Sequence, residues 1–264
     1  LEFNDIRTVL SDGFPEFYHD RRKGKIMTEE VFRDDAYAKA CEATVTHVDG
    51  RGIQLDRTVF YPAGGGQPGD SGVLRRADGG EVPITDTFKS TDTGDPVHVP
   101  AEDAPALSPG DKVTAEIDWD RRFAHMRMHS ALHLLCAVIK GGVTGGSIGA
   151  EKSRLDFDLP DTSLDKEQIT AELNRLVEED HPLDARWITE DELGANPDLV
   201  RTMSVKPPSG AGHVRIIDIA GTDVQPCGGT HVAATGEIGR LRVGKIENKG
   251  AHNRRINIHL EDLA

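Results

Sequence analysis

The 264 residues carry 37% apolar side chains and no apolar run long enough to cross a membrane as a helix, which suits one large buried core or two modest ones. A net charge of −14 excludes a protein that coats nucleic acid over its whole surface. Three cysteines cannot all pair and the N-terminus lacks the order of a secretory signal, so a reducing cytoplasm is expected, with Cys41 and Cys136 as buried free thiols.

Residues 1–26 are aromatic-bearing and charged without a sustained period, and read as a leader, non-native or upstream of a natural start at Met27. Thr28, with Val31-Phe32 behind it, is expected to cap a short helical turn. Cys41 to Phe60 alternates in strand fashion, with Asp49-Gly50 as the turn between two runs. Turn signals then recur at Gly64-Gly65-Gly66, Asp70-Ser71-Gly72, Asp78-Gly79-Gly80 and Pro109-Gly110, so residues 27–118 predict a small β-barrel. The pattern changes at Trp119. Asp118 or Asp120 caps a helix whose apolar positions Phe123, Met126, Ala131, Leu134, Leu135 and Val138 keep helical spacing until Gly141-Gly142. A second helix runs from Ser163, its expected cap, to Asp180, with Ile169, Leu173, Leu176 and Val177 as its inner stripe. Arg186-Trp187-Ile188 and Val214 to Ile219 read as strands, and Leu241 to Ile246 with Arg255 to Leu260 as a hairpin around Asn248-Lys249-Gly250. The fold class is α+β: an N-terminal small β-barrel domain over 27–118, then a helix-and-antiparallel-sheet domain over 119–264.

Two segments of the second half carry metal-ligand chemistry. His129 and His133 are four apart on the first helix and share one face. Cys227-Gly228-Gly229-Thr230-His231 places a thiolate and an imidazole on a turn that two glycines allow to fold back. Three His and one Cys suit Zn²⁺, one ion per chain. No Glu follows His129, so this is not a metalloprotease helix. Four protein donors fit a structural ion, whereas catalysis needs one of them loose, with His231 at the end of the glycine turn as the expected one.

Thr58 to Asp70 holds three consecutive glycines, Gly64, Gly65 and Gly66, followed by Gln67. Such a run allows close backbone approach to a ligand or is simply a wide turn, and without a following GK[ST] it is not a P-loop. Basic residues gather in two places. Arg121, Arg122 and Arg127 precede the first histidine, and Arg240 to Arg255 holds six basic residues against one acid, Glu247. They read equally as phosphate contacts or as a solvated face balanced by nearby acids.

In order along Met27 to Leu260, Phe60-Tyr61-Pro62, Gly64-Gly65-Gly66-Gln67, Asp118-Trp119, Arg121-Arg122-Phe123, His129-Ser130-Ala131-Leu132-His133-Leu134-Leu135, Cys227-Gly228-Gly229-Thr230-His231-Val232, Thr235-Gly236-Glu237-Ile238-Gly239, Lys249-Gly250 and Arg254-Arg255-Ile256 resemble the editing domain of alanyl-tRNA synthetase. They are most similar to its free-standing relatives, the AlaX proteins. Ala63 departs from the Thr or small residue often found before the glycines, and Leu132 stands where the synthetase form commonly has Thr. The resemblance implies a zinc-associated trans-editing hydrolase that removes serine, with glycine second, from alanine tRNA. A hydrolytic second site is the physical answer to a small pocket that rejects an added hydroxyl poorly. It further implies Zn²⁺ on His129, His133, Cys227 and His231, a pocket lined by Gln67, Gly65 and Gly66, and Thr58 on the serine hydroxyl. Arg121, Arg122, Arg127, Lys245, Lys249, Arg254 and Arg255 are the expected contacts to tRNA. The implied partner is alanine tRNA carrying a wrong amino acid, with no membrane or DNA partner. Two rivals are a non-catalytic structural-zinc tRNA-binding module and a zinc-dependent esterase on small esters.

Overall fold

A computed structural model describes residues 27–159, 163–202 and 212–261, so the expected leader over 1–26 lies outside the described residues. The first half is built from β1 (Glu29–Glu30), β2 (Ala40–Asp49), β3 (Gly52–Leu55), β4 (Arg57–Thr58), β5 (Gly72–Arg76), β6 (Glu81–Lys89), β7 (Pro96–Pro100) and β8 (Lys112–Ile117). Six of these close into a barrel in the order β2-β3-β7-β6-β5-β8, with β2 pairing antiparallel to both β3 and β8. Closure leaves the barrel no free edge. Alternation supplies its filling: Ala43 and Val45 from β2, Leu55 from β3, Leu74 from β5, Val82 and Ile84 from β6, and Val113 and Ala115 from β8 point inward and are buried. Thr28 does not cap a helix. Its hydroxyl donates to the Leu55 carbonyl, which ties the start of the described chain to β3.

The second half consists of α1 (Trp119–Val138), β9 (Gly142–Ser147), β10 (Lys152–Asp158), α2 (Lys166–Glu178), β11 (Leu183–Thr189), α3 (Glu190–Ala195), β12 (His213–Ile219), β13 (Asp223–Pro226), β14 (Leu241–Asn248) and β15 (Asn253–Leu260). α1 begins at Asp118, whose carboxylate accepts the Arg121 N–H at 3.1 Å. Every residue from Ala124 to Cys136 is buried, so α1 is the central post of this half rather than a surface helix. α2 packs on it through Ile169, Leu173, Leu176 and Val177, as their spacing predicts. Its cap is Asp165, not Ser163, because the Asp165 carboxylate takes the Gln168 N–H at 3.0 Å. A four-stranded antiparallel sheet, β14-β15-β10-β9, closes the core with Leu155, Phe157, Leu241, Val243, Ile256 and Ile258. Complete burial of each such side chain contributes about 1.5–3 kcal/mol. A second antiparallel sheet, β11-β12-β13, carries the strand that leads into Cys227. No helix of the described residues is long and apolar enough to cross a membrane. Cys136 is buried and Cys41 half-buried, both unpaired, and burial pushes both thiols above their usual range.

A buried ion pair is one of the ties between the halves. Arg122 on α1 is 0% exposed and Asp70, at the base of the glycine loop, is 1% exposed. Arg122 Nε lies 2.9 Å from Asp70 Oδ2, while Nη1 and Nη2 donate to the carbonyls of Ala36 and Val59. Asp70 Oδ2 also accepts the Tyr61 N–H at 2.7 Å.

His98 on β7 is sealed inside the barrel, with Nδ1 2.9 Å from the Ile53 carbonyl and Nε2 2.8 Å from Thr58 Oγ1. One proton on Nδ1 satisfies both, the Thr58 hydroxyl donating to Nε2. Burial pulls its pKa down to about 4, so the folded state holds this imidazole neutral. An unfolded histidine titrates near 6.5. The stability gained from the neutral ring is therefore complete above about pH 6.5 and is lost as pH falls toward 4. Urea unfolding at pH 7 and 4.5 should show the protein losing about 2–3 kcal/mol more than His98→Gln does. Parallel losses in the two proteins would refute a neutral buried ring.

Candidate metal centre

α1 presents His129 and His133 one turn apart, and the turn after β13 presents Cys227 and His231 to the same spot. One donor atom from each of the four lies within 4.8 Å of all the others. Cys227 Sγ is 3.4 Å from His129 Nε2 and 3.3 Å from His231 Nε2. A tetrahedral zinc shell with bonds of roughly 2.0–2.3 Å spaces its donors about 3.3–3.6 Å apart. The residues therefore fit a metal ion of this kind.

The other nitrogen of each imidazole strengthens that fit. His129 Nδ1 is 2.9 Å from Gln67 Oε1, His133 Nδ1 is 3.1 Å from Asp223 Oδ2, and His231 Nδ1 is 3.2 Å from Ser130 Oγ. With each Nδ1–H donating to an oxygen, the Nε2 lone pairs are left for a metal. Asp223 is itself held, since Gln225 Nε2 donates to Oδ2 at 2.6 Å and the Arg201 guanidinium stands 3.4 Å from Oδ1.

The protonation balance points the same way. Burial pushes the Cys227 thiol up, but the His129 imidazole and the hydrogen bonds from His129 and His133 outweigh burial and hold it well below the usual thiol range. Burial pulls His133 down, but hydrogen bonds to Asp223 and Cys227 raise it to about 9. Burial and the neighbouring His129 keep His231 well below the usual imidazole range. A thiolate among imidazoles is the charge state a divalent cation takes, displacing the His133 proton.

Local backbone makes this convergence possible. The Gly229 Cα faces the His129 ring so closely that an added Cβ would stand 2.2 Å from Cε1 and 2.5 Å from Nδ1. Arg215 on β12 braces the turn, its Nη1 donating to the carbonyls of Cys227 at 3.0 Å and Gly229 at 2.9 Å. The ligand at the open edge is Cys227, which is half-buried. His231 was the ligand expected to be loose, but it is buried and Ser130 holds its far nitrogen.

Comparison with known proteins places the chain in a family. Residues 214–257 match the model of the threonyl and alanyl tRNA synthetase second additional domain, and residues 14–121 match that of class II (A) tRNA synthetases. The alanyl-tRNA editing protein AlaX-M of Methanosarcina acetivorans is 37% identical over 248 residues, covering 89% of this chain and 100% of that protein. AlaX-M of Methanosarcina barkeri is 39% identical over the same coverage. The chain belongs to the AlaX family. The alanine–tRNA ligase of Pyrobaculum aerophilum is also 37% identical, over 83% of this chain but only 25% of the ligase.

Within this AlaX chain the glycine loop reaches the centre from the barrel side. Gly64 and Gln67 exchange both backbone hydrogen bonds, at 3.0 and 2.9 Å. Gly65 and Gly66 between them take φ of 58° and 85°, the left-handed values of a two-residue hairpin turn. Both are exposed, and the Gly66 carbonyl accepts the Ile148 N–H at 2.9 Å, seating the turn beside β9. Gln67 points inward to His129. Thr58 does not join them: it is fully buried in the barrel, its hydroxyl bound to His98 and accepting the Phe60 N–H, so it offers nothing to a serine side chain.

The expected tRNA contacts divide by burial. Arg122, Arg127 and Arg254 are buried and serve the fold. Arg122 pairs with Asp70, Arg127 donates to the Ile238 carbonyl, and Arg254 ties the β14–β15 turn through the carbonyls of Gly250 and Asn253. A phosphate cannot reach side chains this enclosed. Arg255 grips Asp156 with two nitrogens, at 2.8 and 2.9 Å. Arg121 is half-buried and bonds the Gly69 carbonyl. Lys245 and Lys249 are exposed, flanking Glu247 at 3.6 and 3.0 Å. Sequence reasoning did not single out Asp223, Arg215 or the roles of Ser130 and Thr230. Ser130 and Thr230 lie inside the two ligand motifs, and Asp223, four residues before Cys227, is an acid next to a ligand turn.

Proposed function

We propose that this chain is a zinc-associated trans-editing hydrolase that cleaves the ester joining serine, and secondarily glycine, to the 3′ adenosine of alanine tRNA. It acts in the cytoplasm, with residues 27–118 and 119–264 as its two domains. The observation that carries the reading is the buried quartet of His129, His133, Cys227 and His231 beneath the Gly64–Gln67 turn, where barrel and α1 meet. A zinc ion held by these four residues would supply a Lewis acid for the ester carbonyl. Ser130, Gln67 and Asp223 keep the imidazoles in the ligating tautomer, so no reorganisation is required when substrate arrives. The exposed Gly65-Gly66 turn lets the acceptor end approach the backbone closely. Lys245 and Lys249 supply exposed positive charge for its phosphates, and Arg121 lines the approach to α1.

Four protein donors fill a tetrahedral shell, which favours a second reading in which the ion is structural and acylated tRNA is bound but left intact. The metal-loaded protein is incubated with seryl- and alanyl-tRNA for alanine, and release of each amino acid is followed. Rapid loss of the seryl ester with the alanyl ester spared is the expected result. Binding without release of either selects the structural-ion module. Hydrolysis of a small ester that excess tRNA does not inhibit selects a simple esterase.

A further inference from the structure

Gln67 belongs to the barrel half, yet its side chain is 2% exposed and sits inside the metal centre. Oε1 lies 2.9 Å from His129 Nδ1 and 3.2 Å from the Thr230 backbone N, and Nε2 lies 2.8 Å from Thr230 Oγ1. A backbone N–H can only donate, so the Gln67 atom facing Thr230 N has to be the oxygen. The His129 nitrogen facing that same oxygen then has to carry its proton. In the neutral, metal-binding ring Nε2 of His129 is then the lone pair, and it faces Cys227 Sγ, 3.4 Å away. The direction of one backbone amide in the Cys227–His231 turn is thus passed through a barrel side chain to the tautomer of a ligand on α1.

We propose that Gln67 is a positioning residue of the metal centre, acting through His129 and Thr230 and joining the barrel to both ligand pairs. The inference rests on the metal reading above. With His129 and Thr230 N–H both donating to it, Oε1 has no lone pair left for a substrate. The loop that carries Gln67 is rigid at its base: Gly64 and Gln67 lock each other, the Asp70 N–H donates to the Tyr61 carbonyl at 2.9 Å, and Arg122 holds Asp70 from α1. Barrel seating and metal affinity are therefore coupled, and by linkage metal uptake has to steady the Gly64–Gln67 turn in return.

The test compares the full chain with Gln67→Met, which keeps the length and loses all three bonds, and with Gln67→Glu. A carboxylate at 67 can accept from His129, from Thr230 N and from the Thr230 hydroxyl, so it preserves the relay. Zinc affinity by chelator competition should fall about 10–100-fold in Gln67→Met, the usual effect of losing a partner behind a metal ligand, and recover to within a few-fold in Gln67→Glu. The visible bands of the cobalt-loaded protein should shift in Gln67→Met alone. Zinc should slow amide exchange of the turn in the native protein and not in Gln67→Met. Native zinc affinity and an unshifted cobalt spectrum in Gln67→Met would overturn the proposal, whatever its activity. If that variant does not fold, Thr230→Val, which removes only the anchor of Nε2, decides by the same affinity readout: a smaller loss supports the relay and no loss sinks it. A protein whose zinc affinity depends on Gln67 in this way, yet which leaves seryl-tRNA intact, would retain the relay and lose the proposed function.

Discussion

Cys227→Ala should lose bound metal and seryl-tRNA hydrolysis together, and Gly229→Ala should do so almost as completely while keeping all four ligands. The first variant removes the sulfur that stands 3.3–3.4 Å from two imidazole nitrogens. The second adds one methyl group where a Cβ would lie 2.2 Å from His129 Cε1 and 2.9 Å from Gln67 Oε1. The neighbour is an aromatic ring fixed on a buried helix rather than the end of a flexible chain, so either the ring or the turn has to move by more than an ångström. Catalytic geometry tolerates such a displacement poorly, at a cost of roughly 100-fold or more. Metal analysis and single-turnover deacylation on the same samples check both. Were metal-free Cys227→Ala to deacylate at the native rate, the ion would have no part in the chemistry.

Arg122→Leu should be the most destabilising single change away from the metal, at about 3–5 kcal/mol, because it leaves the Asp70 carboxylate buried without its counter-charge. Two carbonyls, those of Ala36 and Val59, lose donors at the same time. Asp70→Asn in the Arg122→Leu background should recover part of the loss, since the charge is gone while the Tyr61 N–H still finds an acceptor. Urea unfolding of the single and double variants measures both effects. A loss under 1 kcal/mol for Arg122→Leu would mean that water reaches Asp70 and that the pin between the halves is weak.

The parts of the molecule that could be read from the sequence are those set by short-range pattern. Strict alternation marks β2, helical spacing puts His129 and His133 on one face, and the glycines of Cys227 to His231 announce a turn that folds back. β9 escapes because Gly142, Gly145 and Gly146 erase alternation, and β10 because Arg154 and Asp156 balance Leu155 and Phe157 in too short a run. The role of each arginine was not legible. Arg121 and Arg122 are adjacent, but one helical step of about 100° sends the first to the rim and the second into the core. Thr58 misled for a related reason: its partner His98 is 40 residues away and joins it only when the barrel closes.

The ligand pairs are 98 positions apart in the chain. At 5–20 residues per second a ribosome needs roughly 5–20 s to extend that far. During this interval two histidines are present without their sulfur, and a nascent chain has no complete grip on a cation. A complete ligand set, and any chemistry that depends on it, then arrives only after His231 has been made.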